Sequence, residues 1–255
     1  MIVVSSMGGP GRAPSCPEGA SLVASVDVEW SKNYRVRNGN RPFCYSVVYL
    51  AVPHRRRLVD LACQTFAYTS VYVEGDDETA ELVRLADLDL RVALAGADRI
   101  AGHQLSSDLA VLSANASGGA AGVLAAREAW HGRRDEPVPA RRVIDTRYDS
   151  GHILRCRSRR LVDVCTSLDL DVSQPELRGI SMTALHREWL LNRDDIARER
   201  ISVLNLRHSV STALVALRAA GRGTWDGTLN VNRLLRAQLE GAFDWFGSPA
   251  FARLV

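Results

Sequence analysis

Lysine is almost absent from this chain. Lys32 is the only one among 32 basic residues, and every other fixed positive charge is arginine. Paired cysteine motifs are absent too. Cys16, Cys44, Cys63, Cys156 and Cys165 are odd in number, scattered, and never spaced C-x-x-C. That argues against a disulfide framework and against a structural zinc site, and leaves free thiols as the expectation. No apolar run is long enough to span a bilayer, which excludes a helical membrane anchor within the sequence. Met1-Ile-Val-Val4 is too short for a signal-peptide core and has no basic start, so the expected location is the cytoplasm. A net charge of +3 forces no nucleic-acid partner by itself. The arginines do cluster, at 55–57, 133–134, 141–142, and at Arg155, Arg157, Arg159 and Arg160. Such runs are solvated faces or phosphate contacts, and the guanidinium fork suits the second use.

Against these absences stands one acidic stretch, Ser21-Leu-Val-Ala-Ser-Val-Asp27-Val-Glu29-Trp30. Its valines and leucine read as a buried strand. Residues i and i+2 of a strand share a face, which sets Asp27 and Glu29 side by side, roughly 7 Å apart at their Cα atoms. Two like charges in an apolar setting raise each other's pKa and cost stability. A divalent cation between them removes that cost, and carboxylate oxygens suit Mg²⁺ or Mn²⁺. An edge strand with two solvated acids is the other reading.

Taken in order, residues 1–20 carry Gly8-Gly9-Pro10-Gly11, Pro14 and Pro17, the composition of a loose arm. The acidic strand follows, then a polar loop from Lys32 to Pro42. Phe43 to Pro53 and Ser70 to Glu74 read as two more strands. Three strands without an intervening helix predict an antiparallel meander. Helices are expected over 79–90, 105–115, 122–132, 160–170, 181–191 and 196–220, with strands at 99–103 and 142–146. Gly221 stops the last long helix. Trp225, Phe243, Trp245 and Phe246 predict that residues 223–255 form a helical extension packed on a domain covering 21–222. The order predicts an α/β domain with a mixed sheet.

Two further acids occur where strands end. Gly102-His103-Gln104-Leu-Ser-Ser-Asp108-Leu sets an acid in the first turn of a helix, and Val143-Ile144-Asp145-Thr146 ends a strand. Together, V-D-V-E-W, G-H-x-x-x-x-D-L and I-D-T resemble the motifs of the DEDD superfamily of 3′→5′ exonucleases, the DnaQ-like group, over roughly residues 20–220. The resemblance implies a ribonuclease H-like α/β fold: a mixed five-stranded sheet flanked by helices, with its first three strands antiparallel. It implies Asp27, Glu29 and Asp108 as ligands of Mg²⁺ or Mn²⁺, and a structural or peripheral Asp145. Two such ions would supply an activated water and stabilise the leaving alkoxide. The implied substrate is single-stranded DNA or RNA, or a short oligonucleotide, with Trp30, His103, Asn205 and Arg35 as substrate contacts.

The chain departs from that family on its last long helix, where a fourth acid belongs. The stretch Ile201-Ser-Val-Leu-Asn205-Leu-Arg-His208-Ser209 through Leu217 contains no Asp or Glu. The matching position falls near His208 or Ser209. Asp194 and Asp195 lie about 20 Å upstream at ~1.5 Å per residue, too far to substitute. Asn205, His208 and Thr212 share one helical face. His208 is therefore either a catalytic group, as ligand or general base, or an ordinary helix histidine. Around it, Lys32, Arg35 and Arg37 read as phosphate contacts or a solvated loop, and Tyr34 as a stacking or a surface ring. Two rivals to an exonuclease follow: a binding module of the same fold that has lost catalysis, and a phosphodiesterase of small molecules.

Overall fold

The computed structural model describes residues 1–31, 39–54, 58–174 and 180–255. Lys32, Tyr34, Arg35, Arg37 and the arginines at 55–57 lie outside the described residues. A six-stranded mixed sheet forms the centre: β1 (Ile2–Ser5), β2 (Ala20–Ser31), β3 (Arg41–Pro53), β4 (Ala67–Tyr72), β5 (Arg99–Gly102) and β6 (Val143–Asp145), in the order β1-β4-β3-β2-β5-β6. The meander β2-β3-β4 is antiparallel, as its lack of intervening helices predicts. β5 and β6 then add parallel to β2.

The sixth strand corrects the expected count of five. Ile2–Ser5 pairs antiparallel with β4 at the sheet edge, so the first residues are not an unpacked arm. The glycines and prolines after it shape turns instead. Gly11 donates its N–H to Asp89 Oδ1 at 2.6 Å, which ties the segment to the helix α1 (Thr79–Gly96).

β2 is the central strand, and Leu22 to Val28 are buried without a break. Strands covered on both faces read as continuous apolar runs, and here the period of two divides them between two cores. Leu22, Ala24, Val26 and Val28 pack with α1, α2 (Leu105–Ala114) and α3 (Ala121–Gly132). Val23 belongs to the opposite core. There α5 (Asp195–Ala219) crosses the sheet, whereas α4 (Met182–Asn192), which precedes it, buries Leu185 and Trp189 in the first core. Asp194 caps α5 by accepting from the N–H groups of Ile196 and Ala197, which accounts for the acids at its start.

The register of β2 against β3 runs regularly from Ala20 to Glu29 and shifts between Glu29 and Trp30, a bulge at the strand's end. The C-terminal residues are part of the second core. Trp225, Phe243, Trp245, Phe246 and Phe251 are buried there beside Val48 and Leu50 of β3. They form α6 (Val231–Leu239) and short turns, not one terminal helix. All five cysteines are free. Among the described residues no helix is long and apolar enough to cross a membrane.

Two buried titratable groups oppose each other. Burial raises the Asp89 carboxyl to about 6, against hydrogen bonds from Gly11 N–H and Tyr45 O–H. Burial lowers His186, stacked 4.2 Å from Phe43 and bonded to Tyr72 O–H, to about 4. Ionising Asp89 therefore costs stability as pH rises from about 4 to 6. Protonating the unfolded chain's histidine costs stability as pH falls from about 6.5 to 4. These two slopes oppose each other. Relative to the wild type, Asp89→Asn should gain stability as pH rises across this window, and His186→Phe should gain it as pH falls. Each contributes up to about 3 kcal/mol at ~1.4 kcal/mol per unit. Thermal melts of variant and wild type between pH 4 and 7.5 read both differences, and a variant profile parallel to the wild type's would refute the assignment.

Candidate functional site

β2, β5 and β6 are parallel, and all three end on one side of the sheet. That side is where open α/β sheets gather their chemistry. The face of β2 that carries Val23 also carries Ser25, Asp27 and Glu29, and it turns toward α5. From α5, Asn205 reaches down first. It is fully buried, and its Nδ2 donates to Asp27 Oδ2 at 2.7 Å and to the Asp27 carbonyl at 3.3 Å. The expected substrate contact at Asn205 is thus a group that orients Asp27 from beneath. One turn on, His208 Nδ1 lies 3.0 Å from Glu29 Oε1 and 3.5 Å from Asp27 Oδ2. One donor atom from each of Asp27, Glu29 and His208 falls within 4.8 Å of the others. Thr212 is buried one turn further along, and its Oγ1 has no hydrogen-bond partner among the described residues. Ser209 faces β3, with its Oγ 2.7 Å from Ser46 Oγ.

Asp108 approaches from α2. It is 3% exposed, and its Oδ2 has no hydrogen-bond partner among the described residues. Burial, together with the charges of Asp27, Glu29 and Asp145, holds its carboxyl well above the ordinary range. Burial opposes a charge on His208, but hydrogen bonds to Asp27 and Glu29 and their charges outweigh it and lift the imidazole to about 10.

The turn that aims Asp108 is held by residues beyond the cluster. Gln104, before α2, has φ 64° and ψ 36°, a left-handed conformation that is uncommon for a side-chain-bearing residue. Its N–H donates to Asp145 Oδ1 at 2.9 Å, and Trp130 Nε1–H donates to Asp145 Oδ2 at 2.8 Å. Asp145 is fully buried and serves this turn, not the cluster. Thr146 Oγ1 lies 2.9 Å from His103 Nδ1. His103 is half-buried, lowered to about 4 chiefly by burial, and close enough to Asp27 and His208 for their charges to act on it. It supports the turn as much as it faces any substrate.

Two cavities flank the carboxylates. One of about 620 Å³ is lined by Glu29, Trp30, Asn40, Gln104, Ser107 and Val111. The other, about 200 Å³, is lined by His208, Ser211, Arg160, Val162 and Gln174. Arg160 is the member of the 155–160 arginine group that reaches the cluster's surroundings. Trp30 lines the first of these cavities beside Glu29, and Arg35 lies outside the described residues.

Sequence reasoning missed Trp130 and the buried group beneath it. Asp149 Oδ2 accepts from Arg133 Nε at 3.1 Å and from the Asp145 N–H at 2.8 Å, while Oδ1 accepts from Arg141 at 2.7 Å. The only hint was an acid four residues after Asp145. No protein-family model, curated protein or solved structure matches the chain.

Proposed function

We propose that the chain is a metal-dependent nuclease that shortens single-stranded DNA or RNA, or short oligonucleotides, from the 3′ end, on a ribonuclease H-like fold. One observation carries the reading: Asp27 and Glu29 from β2 and His208 from α5 bring ligand atoms within 4.8 Å of one another at the ends of parallel strands, and Asp108 from α2 stands outside that group but near enough for the charges of both acids to act on it. The antiparallel meander followed by parallel strands is consistent with that fold, with β1 an added edge. The unpartnered buried oxygen of Asp108 fits a cation better than it fits a dry core, because an acceptor left without a donor costs stability.

In this reading Asp27, Glu29 and Asp108 would hold Mg²⁺ or Mn²⁺, and the chemistry such an ion would supply is an ionised water and charge to offset the leaving alkoxide. Asn205 fixes the rotamer of Asp27. Trp30 offers a ring face to the terminal base, and Arg160 offers a guanidinium to a backbone phosphate on the opposite side. A second reading has its own support. An amide and an imidazole on α5 meet the acids where a fourth carboxylate is expected, which favours a binding module with weakened catalysis.

The test uses 5′-labelled single-stranded DNA and RNA with Mn²⁺ or Mg²⁺, and a chelator control. A descending ladder that stops with chelator supports the nuclease. Binding without shortening supports the module. Cleavage of a dinucleotide but of no longer strand points to a small-molecule phosphodiesterase.

A further inference from the structure

We infer that this centre takes its cation through nitrogen as well as oxygen: His208 Nδ1 is a ligand beside Asp27 and Glu29, which makes the site selective for a first-row transition ion such as Mn²⁺ over Mg²⁺. The inference rests on the cation-binding half of the proposed function and not on hydrolysis.

Distances support it first. Bonds of about 2.0–2.2 Å set neighbouring donor atoms about 3.0 Å apart in an octahedron and about 3.4 Å apart in a tetrahedron. His208 Nδ1 stands 3.0 Å from Glu29 Oε1 and 3.5 Å from Asp27 Oδ2, so both separations from the imidazole are those of neighbours in one coordination shell, and one ligand atom from each of the three residues lies within 4.8 Å of the others. His208 projects from the long, mostly buried helix α5, while Asn205 one turn earlier is locked on Asp27. The imidazole is therefore delivered by a rigid element, and a cation bound there would take the place of the Nδ1 proton that His208 shares with Glu29, releasing it to solvent.

A second, independent observation points to a ligand. Asp108 Oδ2 is buried, within the electrostatic reach of Asp27 and Glu29, and without a partner among the described residues. Asn205 Oδ1, on the amide whose other end holds Asp27, is also buried without one. Two acceptors around one acidic cluster call for positive charge or a hydrated ion between them. The donor set then decides the class of ion. Mg²⁺ favours an all-oxygen octahedron, whereas an imidazole in the shell shifts preference toward first-row transition ions; Mn²⁺ is the most oxygen-loving of these, so its preference over Mg²⁺ is the most demanding test of a nitrogen ligand.

The experiment loads the full chain with Mn²⁺ and records electron spin-echo envelope modulation, with calorimetric titration of Mn²⁺ and Mg²⁺ alongside. The expected result is ¹⁴N modulation from a directly bound imidazole and at least tenfold tighter binding of Mn²⁺. His208→Gln should lose the modulation. His208→Asp should lose it and move the preference toward Mg²⁺. Melting curves confirm that both variants fold. Wild-type Mn²⁺ without nitrogen coupling, equal affinity for the two ions, or coupling that persists in His208→Gln would overturn the inference. Hydrolysis without nitrogen coupling would sink this inference alone. Nitrogen coupling without hydrolysis would sink the nuclease reading alone.

Discussion

Asp108→Asn is expected to make the cation-free protein more stable and to remove its metal-dependent activity. The carboxyl is buried, faces the charges of Asp27, Glu29 and Asp145, and has one oxygen without a donor. A charged group in that position costs about 2 kcal/mol or more. Asparagine carries no charge and should raise the melting temperature by about 4 °C or more for a chain of this size. The sign follows from linkage. A carboxyl held above its ordinary value destabilises the fold as pH rises past about 4, so the advantage of asparagine should vanish in acid. Activity should fall on the order of 10²–10³-fold, the usual loss when one group that stabilises transition-state charge is removed. Asp27→Asn should lose activity as fully with less gain in stability, since Asp27 is already bonded to Asn205 and His208. Melting curves with chelator and initial rates with Mn²⁺ separate the two effects. A destabilised Asp108→Asn protein would count against the assignment of that carboxylate.

Asp149→Ala should cost about 3–5 kcal/mol, the range for breaking one side of a buried ion pair. The guanidinium of Arg133 is 1% exposed and the Asp149 side chain 3%, so removing the acid leaves a positive charge with no water to receive it. Arg141 and the Asp145 N–H lose the same partner. A fall of roughly 10 °C or more in melting temperature is expected. Arg133→Met in the same chain should restore part of the loss, because an apolar side chain can lie on Trp130 where the guanidinium now stacks at 3.9 Å. A double variant no more stable than Asp149→Ala would refute the charge argument. The same change should loosen Asp145, and through it the left-handed turn at Gln104 that aims Asp108.

The acids and the strands that bear them were legible because period and burial coincide. Alternation along Leu22–Val28 fixed the face of Asp27 and Glu29, and the leucines of α2 fixed the turn that bears Asp108. The stripe of Asn205 and His208 was legible as a helical face, but its depth was not. Spacing shows which side a residue takes, not that Asn205 would lie under Asp27 with no route to a substrate. β1 was hidden because four apolar residues before a glycine-rich turn become a strand only where an edge such as β4 accepts them. Trp130, Asp149 and Arg133 were hidden for a similar reason: each is meaningful only beside a partner brought from another segment by the fold.

The register shift between Glu29 and Trp30 has a consequence for how the cleft tolerates change. Regular pleating would send consecutive side chains to opposite sides of the sheet, yet both of these line one hollow. The surplus residue lies on the partner strand: Glu29 stands opposite Cys44 and Trp30 opposite Pro42, which leaves Phe43 of β3 as the extra one beside the acid and the ring. Deleting Phe43 should restore the regular register at the end of β2 and part the ring from the acid while both keep their identity, so the pairing depends on the length of the neighbouring strand as much as on composition.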